Sequence, residues 1–197
     1  MNFLAHFALA EPTDASRVGA LLGDFVRGTP ESLKGEFPDE VIEGIILHRR
    51  IDRLTDDHPI FLQCKKWLHD DRRKFAGIVI DIFFDHFLAK HWQRFGEGEL
   101  TDFIESLYTL LERRKDWLTP ELREIVPRMK GEDWLGAYQS ISGLGLTFRR
   151  MSHRRDFLAP IIGSEKDLEA HYDDFEKAFF VFYPELEKAA RETPRDD

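Results

Sequence analysis

Residues 41–56, VIEGIILHRRIDRLTD, constrain the fold of this chain more than any other stretch. Val41 and Ile45 stand four apart and open an apolar row. Continued by helical steps, that row reaches His48 and Asp52. Four residues of α-helix turn about 400°, so the imidazole and the carboxylate sit one above the other. A face that begins as core therefore ends in two polar, ionisable groups. Burying them is costly unless they are hydrogen-bonded, ion-paired or bound to a metal.

The same three-and-four spacing runs through the chain. Residues 2–10 read as a short buried helix stopped near Pro12. Residues 16–26 read as a second, with Asp24 set among Val18, Leu21, Leu22, Phe25 and Val26, and Gly28-Thr29-Pro30 ends it. Residues 30–37 read as a loop. Pro38-Asp39 starts the helix that runs to about 56, and His58-Pro59 breaks the chain before a helix over 59–70. FAGIVIDIFFDHFLAKHW, residues 75–92, contains a strand-like apolar run. Its length and the spacing Ile78, Ile82, Asp85, Ala89 and Trp92 fit a helix, with Asp81 and Asp85 on one side.

Residues 100–117 form the next expected helix. Thr119-Pro120 then supplies an N-cap hydroxyl and a proline at the first helical position. Residues 132–142 read as helix, Gly143 and Gly145 interrupt, and 147–158 continue it. Ser164 with Asp167 resembles a capping box ahead of a last helix carrying Leu168, His171, Tyr172, Phe175, Phe179 and Phe182. The tail from about 191 is expected to fray. No strand pair and no internal repeat emerges. The expected fold is all-α, in one domain over 1–197.

A length of 197 residues is enough for a sizeable core. With 42% hydrophobic and 33% charged residues, the composition is that of a soluble globular protein. The net charge of −9 argues against a nucleic-acid partner. Cys64 stands alone, so neither an internal disulfide nor a thiolate zinc cluster can form, and a reducing cytoplasm is the natural setting. The apolar start lacks a basic leader, and no apolar run is long enough to span a membrane. The oligomeric state is left open.

Seven groups sit in segments otherwise built from core residues: His6, Asp24, His48, Asp52, Asp81, Asp85 and His86. A lone imidazole such as His6 is accounted for by a core hydrogen bond. The His48–Asp52 pair fits a structural hydrogen bond as well as it fits a metal site. Seven such groups on four segments point to a metal or catalytic centre. Imidazole with carboxylate suits Mn²⁺, Fe²⁺ or Mg²⁺ better than structural zinc. Such an ion polarises a phosphoryl oxygen. Of the basic tracts, only Arg149-Arg150 with His153-Arg154-Arg155 stands apart, because it concentrates arginine forks suited to phosphate or carboxylate. The other tracts read as solvated faces.

MNFLAHFALA at the start, GALLGDFVRG at 19–28, GIILHRRIDRLTDDHP at 44–59 and DIFFDHFLAKHW at 81–92 together resemble the acyl carrier protein phosphodiesterases. Residues 143–155 and the closing LEAHYDDFEKAFFVFYPEL resemble them too, so the likeness covers nearly the whole chain in order. It implies an all-α fold distantly related to the HD-type metal phosphohydrolases. It implies removal of the 4′-phosphopantetheine arm from holo acyl carrier protein, by cutting the phosphodiester to a serine, with Mn²⁺ or another divalent ion assisting. Carried over by position, Asp24, His48, Asp52 and Asp81 become the expected metal ligands, with His6 in support. Asp85, His86 and Arg49 become the expected catalytic groups; Asp85 and His86 would orient ligands, position water or protonate the leaving oxygen. Arg27, Arg149, His153 and Arg154 are the expected contacts to substrate or carrier. The HD signature itself is absent: His69-Asp70 lies in a polar stretch and Asp85-His86 reverses the order. The ligand set therefore cannot be copied from that wider superfamily. Two rival readings remain: a hydrolase of nucleotides or other small phosphodiesters, and a helical protein that binds the carrier without chemistry.

Overall fold

Two helices meet where neither has a side chain. In the computed structural model, which describes residues 1–192, α2 (Asp14–Leu22) crosses α4 (Asp39–Asp56) at Gly19 and Gly44. A Cβ on Gly19 would lie 2.4 Å from the Val41 carbonyl oxygen and 2.6 Å from Gly44 Cα. Backbone-to-backbone contact of this kind leaves no room for a larger residue on either helix. It also brings the residues that follow α2 over the face of α4 that carries His48.

The centre of the molecule is α6 (Ala76–Lys90), which buries side chains around most of its circumference. That burial explains a sequence too apolar for an amphipathic helix. Phe83 meets Phe148 and Phe175, while Phe84 and Phe87 meet Phe179 of α12 (Tyr172–Arg191). α1 (Phe3–Leu9) packs on α6 and α2, and Asn2 caps it by accepting from the Phe3 N–H at 2.7 Å. The remaining helices are α3 (Pro30–Leu33), α5 (Pro59–Cys64), α7 (Trp92–Phe95), α8 (Leu100–Arg113), α9 (Pro120–Gly131), α10 (Ile141–Arg154) and α11 (Glu165–Ala170). The fold is all-α, with no strand among the described residues. No helix among them is long and apolar enough to cross a membrane.

Several expected boundaries shift, each for a local reason. The second helix stops at Leu22 instead of running to 26, so Asp24 sits in the turn beyond its end. Residues 30–33 are helical where a loop was expected, because Thr29 accepts from the Ser32 N–H and Pro30 fills the first position. The 59–70 helix ends at Cys64 and gives way to 3-10 turns at Lys65–Trp67 and Asp70–Phe75. α8 likewise ends at Arg113, and a 3-10 turn covers Lys115–Trp117.

In place of a helix over 132–142 there is only a 3-10 turn at Gly136–Gln139. α10 starts from the Ser140 cap and runs through Gly143 and Gly145. Those glycines answer to packing: a Cβ on Gly143 would lie 2.0 Å from the Ala137 oxygen. The Ser164 capping box does not form. Ser164 Oγ donates to Ile161 O, and the Asp167 carboxylate is taken by the His69 N–H and Arg72. The last helix is divided at His171. The fraying expected from about 191 falls mostly outside the described residues.

Candidate active site

Four segments converge on one cluster. α1 supplies His6, α4 supplies His48 and Asp52, the turn after α2 supplies Asp24, and α6 supplies Asp81. The His6 and His48 rings stack with centroids 3.8 Å apart and planes 18° from parallel. Asp52 bridges them, with Oδ1 3.0 Å from His6 Nε2 and Oδ2 3.0 Å from His48 Nε2. Asp24 Oδ1 lies 3.5 Å from His48 Nε2. Asp81 Oδ1 is 2.9 Å from the Met1 nitrogen, which is 3.8 Å from Asp52 Oδ1.

The orientation of His48 is set from behind. Its Nδ1 lies 2.7 Å from the Ala20 carbonyl, an acceptor that makes Nδ1 the N–H-bearing nitrogen. Nε2 then faces the carboxylates. A backbone carbonyl fixing one ring nitrogen while the other is turned into the site is how proteins aim metal-ligating histidines. Gly23 closes the back of the ring: a Cβ there would lie 2.2 Å from His48 Cγ.

The electrostatics follow from burial and crowding. Burial works against charge on His48, yet the Asp24 and Asp52 carboxylates raise it to about 9. Burial and the neighbouring His48 charge lower His6 to about 4. Two stacked imidazoles do not both take a proton. Burial would raise Asp52, but His48 and His6 hold it well below the carboxylate range. Burial lifts Asp81 to about 6 against the pull of the Met1 amino group.

These residues fit a divalent ion. His6 Nδ1 and His48 Nε2 are buried and make no aligned hydrogen bond, which is rare for buried polar atoms without a purpose. One ligand atom each from His6, His48 and Asp52 lie within 4.8 Å of one another. That donor set, with Asp24 beside it, suits the ions named above. His6, expected in support, lies close enough to His48 and Asp52 to share an ion with them.

Other expected site residues lie elsewhere. Asp85 is fully buried and accepts from the N–H groups of Asn2, Leu4 and Ala5, at 3.2, 2.8 and 3.4 Å. Burial raises it to about 7 against those donors and the Met1 charge. It anchors the start of α1, where a carboxylate meets the helix dipole. His86 is also buried, with Nδ1 2.7 Å from Tyr138 O and Nε2 2.8 Å from the Tyr172 hydroxyl. Asp85 shares the Asp81 side of α6, but its oxygens are occupied by the α1 backbone, while His86 is turned about 100° from it, toward Tyr138 and Tyr172. Both side chains thus make hydrogen bonds that hold the fold together. Arg49 donates to the Gly28 and Val26 carbonyls at 2.6 and 3.0 Å, and so pins the loop that carries Asp24. Arg27, Arg149, His153 and Arg154 are on the surface, and Arg154 pairs with Glu121 at 3.1 Å.

A cavity of about 280 Å³ adjoins the cluster, with Asp24 and Asp81 in its wall. Arg154, an expected substrate contact, also lines it, as does Arg150 of the same basic tract, whereas Trp134 and Tyr138 carried no functional signal in the sequence. Helical spacing carried a usable signal, since Thr147, Arg150, Met151 and Arg154 all lie on one side of α10 and all line the cavity.

Comparison with known proteins adds three relatives and a family. The family model for acyl carrier protein phosphodiesterase matches residues 1–186. An acyl carrier protein phosphodiesterase of Pectobacterium atrosepticum is 37% identical over 192 residues, 97% of this chain and 98% of that one. Proteins of the same name from Yersinia pestis and from Enterobacter sp. (strain 638) are 34% and 36% identical, over 97% and 94% of this chain and 98% and 95% of their own. No solved structure matches.

Proposed function

The chain belongs to the acyl carrier protein phosphodiesterase family, and we propose that it hydrolyses the bond joining 4′-phosphopantetheine to a serine of holo acyl carrier protein, leaving the apo carrier. Its class is therefore phosphoric diester hydrolase. The observation that carries the reading is the His6–His48–Asp52 triad, two buried imidazoles on a half-exposed carboxylate, beside a cavity edged by Asp24 and Asp81. A divalent ion held by His6, His48 and Asp52 with Asp24, Mn²⁺ first and Mg²⁺ or Fe²⁺ as alternatives, would draw charge from the phosphoryl oxygens and acidify water.

The rest falls to the chain's own residues. Ala20 O keeps His48 Nε2 aimed inward, and Asp52 locks both rings. Asp24 is the most exposed member at 48%, and its carboxylate is placed at the cavity to take a proton from attacking water. The oxygen of that water bonds to phosphorus, the bond from phosphorus to the serine oxygen breaks, and the proton taken up by Asp24 passes to the leaving serine oxygen. Asp81 shares the wall, paired with the Met1 nitrogen.

Acyl carrier proteins are acidic and this chain carries −9, so docking needs a local basic face. Arg149, His153, Arg154 and Arg155, exposed where α10 ends, supply it. Arg154 and Arg155 also line the cavity, which joins the docking face to the reacting groups. The setting we propose is the cytoplasm, in keeping with a single, unpaired Cys64.

Intact mass spectrometry of holo acyl carrier protein incubated with this protein tests the reading. Loss of the phosphopantetheine mass with Mn²⁺, abolished by chelator, is the expected result. An unchanged carrier in the presence of Mn²⁺ would refute it.

A further inference from the structure

The residues of the cavity wall other than the acidic pair have chemistry that the triad leaves unexplained. Its volume of about 280 Å³ lies near the small end of ligand sites, roughly 300–1,000 Å³. Ile78, Trp134, Met151 and Leu158 make much of it apolar, with Tyr138 and Thr147 as polar interruptions. A narrow, mostly apolar space of this kind takes a slim neutral chain.

Of the two arginines that α10 brings to it, Arg150 and Arg154, the first is unusually well held. The Arg150 side chain is only 17% exposed. Its guanidinium stacks over Trp134 at 4.8 Å, and its Nε lies 3.0 Å from Glu132 Oε2. The same carboxylate oxygen accepts the Trp134 indole N–H at 2.9 Å. Glu132 is the one carboxylate in salt-bridge reach of Arg150 among the described residues, and it engages the Nε edge. A guanidinium fixed by stacking and by one edge keeps its other donors in a defined plane, as bidentate phosphate recognition requires. Arg149, its neighbour in sequence, is exposed and does not line the cavity.

We propose that this cavity receives the pantetheine arm of the substrate, and that Arg150 is the positioning residue that grips the phosphate from which the arm extends. The inference rests on the reading of a phosphopantetheine hydrolase and adds where the arm goes and what holds it. The chemistry matches along its length. The arm is a flexible chain with two amides and a dimethyl-substituted carbon, suited to apolar walls with few polar groups. The phosphodiester carries one negative charge, which Arg150 meets in the cavity that Asp24 and Asp81 also line. Arg150 thereby separates phosphate-bearing chains from plain acyl amides of the same shape.

Calorimetric titration of the Mn²⁺-loaded protein with two probes, pantetheine and 4′-phosphopantetheine, tests this directly. Ile78→Trp should weaken both probes at least tenfold, by filling the cavity. Arg150→Gln should weaken 4′-phosphopantetheine at least tenfold and leave pantetheine unchanged, and Arg150→Lys should recover part of the loss. Circular dichroism and melting temperature check that each variant folds. In turnover, Arg150→Gln should raise KM for holo carrier more than it lowers kcat. Pantetheine binding indifferent to Ile78→Trp, equal effects of Arg150→Gln on both probes, or no binding of 4′-phosphopantetheine to the wild type would overturn the proposal. Failure of the hydrolase reading looks different: the probes would bind as expected while holo carrier stays intact.

Discussion

Replacing Gly23 by alanine probes the back wall of the site without touching any group that does chemistry. The new Cβ would lie 2.2 Å from His48 Cγ and Cδ2 and 2.8 Å from Cβ. Carbon atoms meet comfortably at roughly 3.5 Å, so the ring must retreat by more than about 1 Å. It has nowhere to go. His6 stacks against the ring with centroids 3.8 Å apart, and the 2.7 Å hydrogen bond from Nδ1 to Ala20 O resists sliding. Overpacking in a closed environment costs about 1–3 kcal/mol. For a domain of this size each kcal/mol lowers Tm by about 2–4 °C, so a fall of about 2–12 °C is expected. Displacing His48 by about 1 Å also spoils the donor geometry, so Mn²⁺ affinity should fall at least about tenfold. Differential scanning calorimetry and Mn²⁺ titration measure the two effects. A variant with wild-type Tm and wild-type Mn²⁺ affinity would refute the claim that His48 is clamped.

Three further outcomes follow from the geometry. Asp85→Ala strands the buried N–H groups at the start of α1 and should destabilise the protein by about 3 kcal/mol or more in urea unfolding; a loss below about 1 kcal/mol would deny the anchoring role. Burial keeps His86 below the ordinary histidine value, so the unfolded chain binds a proton there more readily than the folded one. Its contribution is complete above about pH 6.5 and is lost as pH falls below that; His86→Gln should therefore flatten the acid limb of the stability profile, and an unaltered limb would contradict the assignment. Arg154→Glu, on the proposed docking face, should raise KM for acyl carrier protein far more at low salt than at high salt, and a salt-independent effect would argue against electrostatic docking.

Local rules made most of the helices readable. The stops at Pro59 and the start at Thr119-Pro120 rest on backbone chemistry that acts within a few residues, and both hold. The long apolar run of α6 was readable as helix because its length exceeds a strand. The glycines of α10 were misread because the reason for them is distant in sequence: Gly143 answers to the Ala137 oxygen and Gly145 to the Glu165 side chain. Asp167 was taken for a cap because nothing local reveals that Arg72 claims it at 2.8 Å.

The site divides in the same way. His48 and Asp52 were visible as an i, i+4 pair on an apolar face, and the structure joins them at 3.0 Å. His6 carried the same signal with no local partner, so its stacking on His48 could not be foreseen. Asp85 and His86 looked catalytic because buried ionisable groups are costly in any setting. What distinguishes a structural solution from a functional one is the direction each side chain takes, toward α1 for Asp85 and toward Tyr138 and Tyr172 for His86. Arg150 was passed over for Arg149 because charge runs do not reveal which member turns inward.

The most direct test of the central claim is Asp52→Asn, measured for metal content and for turnover of holo carrier in the same preparation. The Asp52 carboxylate lies between His6 and His48 at 3.0 Å from each, so its loss should remove metal and turnover together. Full metal content with full activity would place the chemistry somewhere other than this cluster.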